Sequence, residues 1–79
     1  MNKQAETRIG NNIRDIREQR KMTQETLAAK LQVLGCDIIR SSIAKIEVGQ
    51  RHLYPDEILL IKEILHTDFD SIFYGIQKK

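Results

Sequence analysis

The chain has 79 residues, of which 41% are hydrophobic and 30% charged, with four glycines and one proline. This length excludes two separate cores, and the composition is typical of one small helical domain, residues 1–79, ordered from about residue 7 to 75 between short polar ends. The net charge of +2 divides unevenly, because residues 1–54 carry ten Lys and Arg against six acids while residues 55–72 carry one Lys against five acids, so attraction to a polyanion belongs to the first part only.

The first predicted helix runs from Thr7 to about Arg20. Ile9, Ile13 and Ile16 recur at spacings of four and three residues, which predicts a helix with one buried stripe. Thr7 is the predicted N-cap of this helix.

A second helix is predicted to follow Thr23, a residue type that caps helix N-termini. Its apolar positions repeat on one face and are Leu27, Ala28, Leu31 and Leu34. Gly35 is expected to end it.

The third predicted helix contains Ile39, Ile43 and Ile46, again at spacings of four and three, and ends at Gly49. At about 100° per residue, the isoleucines cluster on one side. The opposite side consists of Arg40, Ser41, Ala44, Lys45 and Val48.

A fourth helix is predicted over Asp56–Leu65, and a last helical turn over Phe69–Tyr74 between a capping Asp68 and Gly75. The inward residues of the fourth helix are expected to be Ile58, Ile61 and Leu65. Five short helices with tight connections indicate an all-α fold and exclude a parallel sheet.

The polar side of the third helix has two interpretations. Any surface helix carries a solvated face, whereas a helix whose Arg- and Lys-bearing side is nearly free of acid also fits the DNA major groove, where these side chains donate to guanine. Gln24 at the start of the second helix, and Gln50, Arg51 and His52 after the third, could hold phosphates on either side. These flanking residues favour the groove interpretation.

Three segments, TQETLAAKL, RSSIAKIEVGQR and LHTDFDSIF, resemble the Cro/C1-type (XRE-like) helix-turn-helix family, with the resemblance extending from Ile9 to Phe73. The resemblance implies a compact five-helix lambda-repressor-like DNA-binding domain, in which helices 2 and 3 form the helix-turn-helix and helix 3 lies in the major groove. It also implies a sequence-specific transcriptional regulator that binds double-stranded DNA.

The resemblance assigns roles by position. The base-contacting positions fall on Arg40, Ser41 and Lys45. The positions that contact the DNA backbone fall on Gln24, Ser42, Gln50 and Arg51. A structural ion pair between the first and third helices maps onto Arg17 and Glu47.

The chain departs from the family pattern between its second and third helices, where QVLGCDII replaces a short turn. We expect the second helix to reach about Leu34, followed by an enlarged turn from Gly35 to Ile38. Ile39 then stands at the usual polar N-cap position, and Lys62 replaces a small apolar residue of the fourth helix.

Other chemistries are disfavoured. His52 and His66 are far apart and have no clustered ligands, so we expect no metal and no cofactor. Ser41 and Ser42 have no histidine nearby to act as a base, so we expect no enzyme activity, and no small-molecule substrate is evident. Cys36, the single cysteine, excludes an intramolecular disulfide and is either a small apolar filler or a redox-sensitive thiol.

No apolar run approaches the ~20 residues of a membrane span, and the polar start lacks the apolar stretch of a secretory signal. We therefore expect a cytoplasmic protein with no membrane partner.

Several apolar residues near the C-terminus exceed what one buried stripe needs. They are Leu59, Leu60, Phe73, Tyr74 and Ile76. They indicate either a fuller core or a two-fold homodimer interface, which would suit a repressor bound to a palindromic operator. The alternative function is a protein-binding module, such as an antitoxin or adaptor, that uses the acidic residues 55–72 and binds DNA weakly.

Overall fold

A computed structural model describes residues 3–76. Within this range the chain forms helices and no strand. The helices are α1 (Lys3–Gln19), α2 (Gln24–Val33), α3 (Arg40–Glu47), α4 (Pro55–Ile64) and α5 (Phe69–Tyr74). The predicted all-α fold is confirmed, and the outermost polar residues, 1–2 and 77–79, lie outside the described part of the chain.

The predicted start of the first helix is wrong. α1 already includes Lys3, and the Thr7 hydroxyl donates to the Lys3 carbonyl oxygen at 3.0 Å instead of capping the helix. A threonine inside a helix commonly bonds back to the carbonyl one turn earlier. The apolar spacing locates the buried part of a helix and says nothing about a polar first turn that precedes it.

One core joins the helices, since α1 packs on α3 and α5 while α2 packs on α3 and α4. Its fully buried side chains include members of every helix. They are Ile13, Ile16, Leu27, Leu31, Ile38, Ile43, Ile46, Ile61, Leu65 and Ile72. α3 is thereby held between α1 and α2, with its predicted inner positions Ile43 and Ile46 in the core.

The contact between α1 and α3 is unusually close. Gly10 of α1 lies directly against the backbone of α3, where an added Cβ would clash with the Ile46 carbonyl oxygen. Only glycine permits this approach. α1 also contacts α5, because the Asn12 side-chain amide donates to the Ile72 carbonyl at 2.9 Å.

The connection from α2 to α3 has the predicted enlarged form. Thr23 caps α2 by accepting from the Thr26 N–H at 3.0 Å, and Gly35 follows the helix with φ +85°. In the turn beyond it, the Ile38 side chain enters the core, and the Gln32 amide donates to the Ile38 carbonyl at 2.8 Å. The predicted inward position of Leu34 is wrong, because this C-cap residue is mostly exposed.

The predicted N-cap position of Ile39 is confirmed, but its predicted place on the inner face with Ile43 and Ile46 is wrong. Ile39 is the N-cap of α3, with extended backbone angles (φ −108°, ψ 168°), and its side chain is 55% exposed. The helical period does not extend to a residue with extended backbone, so Ile38 takes the core position that the spacing assigned to Ile39.

α4 and α5 match their predicted extents to within one residue. Ile61 and Leu65 are buried, and Ile58 is partly buried against the core. The Asp68 carboxylate caps α5 by accepting from the Ser71 N–H at 2.7 Å, and Gly75 ends it with φ +97°. No helix within residues 3–76 combines the length and apolar character needed to cross a membrane.

Candidate nucleic-acid interface

The outer side of α3 carries positive charge and no acid. Arg40, Ser41 and Lys45 are exposed, while Ser42 and Ala44 are partly buried at its edges. The only carboxylate of this helix, Glu47, lies on the opposite side and is 1% exposed. The buried isoleucines of α3 fix its inner face to the core, so the basic face is presented by a rigid support.

Arg40 and Lys45 have no intramolecular partner: neither makes a side-chain hydrogen bond or ion pair to another residue within 3–76. Their charges are therefore available to an external acceptor. Arg40 borders a polar depression between the start of α2 and the start of α3, which is also lined by Arg17, Thr23, Gln24 and Glu25.

Arg17 and Glu47 form an ion pair beneath this surface. The Arg17 guanidinium donates from Nε to Glu47 Oε2 at 2.7 Å and from Nη2 to Oε1 at 3.1 Å, and its Nη1 donates to the Met22 carbonyl at 2.7 Å. These bonds to Glu47 raise the pKa of Arg17, although burial acts in the opposite direction. The pair ties α1 to α3 and leaves neither charge unsatisfied.

Gln24 joins the same network. Its side-chain amide donates to Glu47 Oε1 at 3.0 Å, which connects the first residue of α2 to the last residue of α3. The side chain is thus oriented by a buried carboxylate, while the N-terminal turn of α2 still has backbone N–H groups without intrahelical acceptors. Sequence reasoning gave Gln24 a backbone-contact role and missed this bond to Glu47.

Arg51 has a partner that the sequence analysis did not identify. Its Nη1 and Nη2 each lie 3.0 Å from a carboxylate oxygen of Glu57, and Nη1 also donates to the His52 carbonyl at 3.0 Å. Burial alone would raise the pKa of Glu57, but the hydrogen bonds from Arg51 and from the Tyr54 N–H lower it. The sequence did contain a signal for this pair, because a glutamate stands in the first turn of α4, just after Pro55.

The other residues after α3 are more open. Gln50 is exposed, and His52 Nδ1 lies 3.2 Å from Glu6 Oε1 of α1. His52 also meets the Tyr54 ring edge to face, with centroids 4.6 Å apart. Among the described residues, no group of three or more His, Cys, Asp and Glu side chains could hold a metal ion.

Cys36 lies partly buried in the enlarged turn. Burial is the main reason that the pKa of its thiol is raised, and nearby carboxylates add to the effect. A raised pKa lowers the thiolate fraction at neutral pH, so the thiol is less reactive than a free cysteine.

α4 and α5 expose an apolar strip. Lys62 Nζ lies 5.2 Å from the centroid of the Phe69 ring, which stacks on Phe73 at 6.2 Å. Leu59, one turn before Lys62, is more than half exposed, and Tyr74 is 81% exposed. Leu60 and Ile76 instead pack partly against the core, and Phe69 is a member of the strip that sequence reasoning missed.

α2 and α3 are consecutive helices joined by the Gln24–Glu47 hydrogen bond, and the buried Arg17–Glu47 ion pair holds α3 against α1. With the basic outer face of α3, this arrangement defines a helix-turn-helix protein. A family model described as helix-turn-helix matches residues 13–72. The chain therefore belongs to the Cro/C1-type (XRE-like) helix-turn-helix family and is a DNA-binding regulator of that type. No curated protein and no solved structure matches the chain significantly.

Proposed function

We propose that the protein is a transcriptional repressor that binds a palindromic operator as a homodimer, with α3 of each copy in the major groove. The observation that carries this proposal is a pair of cations, Arg40 and Lys45, that have no side-chain partner within residues 3–76 and lie on an acid-free helix face. Such a face complements the guanine acceptors of the groove. Repression would follow from occupation of promoter DNA.

The roles within the groove follow from position along α3. Arg40 in the first turn is proposed to donate to guanine O6 and N7, and Ser41 to contact the neighbouring base. Lys45, more than one turn later, is proposed to contact a further base pair.

Phosphate contacts are proposed on both sides of α3. Gln24, oriented by Glu47, would act together with the free N–H groups of the α2 N-terminus. Ser42 would contact the same strand, and Gln50 and Arg51 would contact the phosphates beyond the helix. Since both terminal nitrogens of Arg51 already bind Glu57, its phosphate contact would be weaker than that of an unpaired arginine.

The proposed homodimer uses the strip formed by Leu59, Phe69, Phe73 and Tyr74, with Leu60 and Ile76 supporting it from the core side. These side chains are exposed, the Phe69 and Phe73 rings stack on one another, and a two-fold axis would pair the strip with its own copy. Two copies could then contact half-sites about one helical turn apart. Tyr74→Asp is expected to give monomers in sedimentation equilibrium while retaining the helical circular dichroism of the wild type.

The DNA-binding part is tested by selecting duplexes from a random library with the full chain and measuring fluorescence anisotropy against the best duplex and a scrambled one. The expected result is a preference of about 1000-fold or more. Arg40→Ala should lose most of it. Lys30→Ala is the matched control, because Lys30 is an exposed cation on α2 that faces α4 instead of the groove surface.

Equal and steeply salt-dependent binding to both duplexes would contradict the proposal, because it would indicate a basic surface that binds phosphate without base recognition.

In that case the second candidate is a protein-binding module such as an antitoxin or adaptor, which is favoured by the exposed strip on α4 and α5. It predicts a monomer in solution whose strip is covered by a different protein.

A further inference from the structure

Two large apolar side chains are exposed at the two ends of α3. Ile39, the N-cap, is 55% exposed, and Val48, the C-cap, is 49% exposed. Exposing these two side chains to water costs free energy, and no residue within 3–76 covers them.

Val48 lies on the basic side of the helix. It follows Lys45 by three positions and Ser41 by seven, and these spacings bring side chains to one helical face. Ala44, one turn before Val48, is small and keeps the surface between them flat.

Ile39 lies at the other end of α3. Its backbone is extended, and the preceding Ile38 is buried in the core. Successive side chains of an extended segment point in opposite directions, so the Ile39 side chain is directed away from the core. It stands immediately before Arg40, at the tip of the helix that leads into the proposed groove.

The surroundings of both side chains indicate what covers them. The surface between them carries Arg40 and Lys45 and no acid, so it complements a polyanion and is continuous with the proposed DNA interface. The edges of base pairs in the major groove carry one apolar group, the C5-methyl group of thymine. A C5-methylated cytosine presents the same group at the same ring position.

We infer that Ile39 and Val48 contact pyrimidine C5-methyl groups and so determine base preference at the two ends of each half-site. This inference rests on the proposed DNA-binding function. The two residues are nine positions apart, about 13 Å along a helix axis, so they meet different base pairs. Arg40, Ser41 and Lys45 would specify the positions between them.

The test uses the full chain and the best duplex selected from the random library. The duplex is resynthesised with deoxyuridine in place of each thymidine in turn, which removes one methyl group and no hydrogen-bonding atom. The wild type is expected to lose about fourfold in affinity at each contacted methyl.

The protein variants are Ile39→Ser and Val48→Ser. Serine is a favourable N-cap residue, so Ile39→Ser removes the apolar side chain while supporting the helix. Each variant is expected to lose the deoxyuridine effect at one position and to keep it at the other. Val33→Ser is the matched control, because Val33 is 85% exposed but lies on α2 beside α4, and it should keep both effects.

A further arm compares cytosine with 5-methylcytosine at the contacted positions. An affinity gain with methylation assigns the contact to the methyl group of either base, whereas thymine dependence without this gain assigns it to thymine alone.

The inference is overturned if the wild type prefers the selected duplex to a scrambled one but shows no deoxyuridine effect, or if both serine variants keep the full effect. Either result leaves the proposed function intact. A wild type that does not distinguish the selected duplex from the scrambled one would instead overturn the proposed function itself.

Discussion

Two sets of basic side chains in this molecule differ in what they bind. Arg17, Arg20 and Arg51 donate to carboxylates or carbonyls of the protein. Arg40 and Lys45, by contrast, bind no other side chain within residues 3–76. The first set joins helices, and the second set is left for a ligand.

It follows that a positive residue near a DNA-binding helix is not by itself a DNA contact. A guanidinium already paired with a carboxylate offers little net charge to a phosphate, whereas an unpaired one offers its full charge and all its donors. Substitutions in the first set should therefore reduce stability, and substitutions in the second should reduce DNA affinity.

The largest effect is expected at the buried pair. Arg17→Ala would leave the Glu47 carboxylate, which is almost completely inaccessible to solvent, with Gln24 as its remaining partner. Breaking a buried ion pair from one side costs about 3–5 kcal/mol, a large part of the stability of a domain this size. Urea denaturation should show a strongly lowered midpoint.

The control for Arg17→Ala is the double variant Arg17→Met with Glu47→Leu, which removes both charges and fills similar volume. Apolar replacement of a buried pair is often neutral or stabilising, so most of the lost free energy of unfolding should return. A single variant that unfolds at the wild-type midpoint would show that the pair does not hold α1 to α3.

Arg40→Ala should give the opposite result. Because Arg40 is exposed and unpaired, the free energy of unfolding should change by less than about 0.5 kcal/mol. Loss of a contact to guanine is expected to cost about 1–3 kcal/mol of discrimination between bases. Measuring both quantities on one preparation separates the two sets, and a loss of stability without a loss of DNA discrimination would place Arg40 in the first set.

Arg51 belongs to the first set but is also a proposed phosphate contact, so its substitution tests whether one residue can serve both purposes. Arg51→Ala leaves the largely buried Glu57 carboxylate accepting a hydrogen bond from the Tyr54 N–H, and because Arg51 itself is partly exposed the expected loss is about 1–2 kcal/mol at neutral pH. In the wild type the lowered pKa of Glu57 stabilises the fold above the ordinary value of 4.5, and this stabilisation is lost as the pH falls through the lower folded-state pKa.

In Arg51→Ala, burial of Glu57 is no longer opposed by the guanidinium, so its pKa rises and protonation relieves the cost. The difference in unfolding free energy between wild type and variant should therefore be larger near pH 7 than near pH 4. A difference independent of pH would contradict the role of this pair. If Arg51 also contacts phosphate, the slope of log affinity against log salt should decrease by about one in the variant.

The sequence was sufficient for those features that depend on local spacing. The isoleucine pattern located the inner faces of α1 and α3, and Thr23 and Asp68 were correctly predicted as caps. These predictions are correct because the apolar spacing of a helix and the hydrogen bond of a capping side chain both depend on residues within one or two turns. The face that carries Arg40 follows directly from the period.

Features that depend on the path of the chain were not predictable. The exchange of Ile38 for Ile39 in the core follows from the extended backbone at the end of the enlarged turn, and no periodicity specifies where helical angles begin. The ion pair between Arg51 and Glu57 could be predicted only if the direction in which α4 runs from Pro55 were known. The stacking of Phe69 on Phe73 was missed because Phe69 was treated only as the first residue of a helical turn.

The smallest effect is expected at Lys21, an exposed basic residue that belongs to neither set. It lies in the turn that follows α1, in the left-handed region with φ +56°, and the next residue's N–H, that of Met22, donates to the Arg17 carbonyl at 3.1 Å. A side chain with a Cβ is strained there by about 1–2 kcal/mol, and glycine is not, although glycine loses more backbone entropy on folding. Lys21→Gly should therefore stabilise the fold by about 0.5–1 kcal/mol, seen as a melting temperature several degrees higher.

Lys21→Ala is the matched control, because it removes the same charge but keeps the strain. Equal gains in both variants would assign the effect to the charge beside Arg20, whereas a gain with glycine alone would assign it to the backbone.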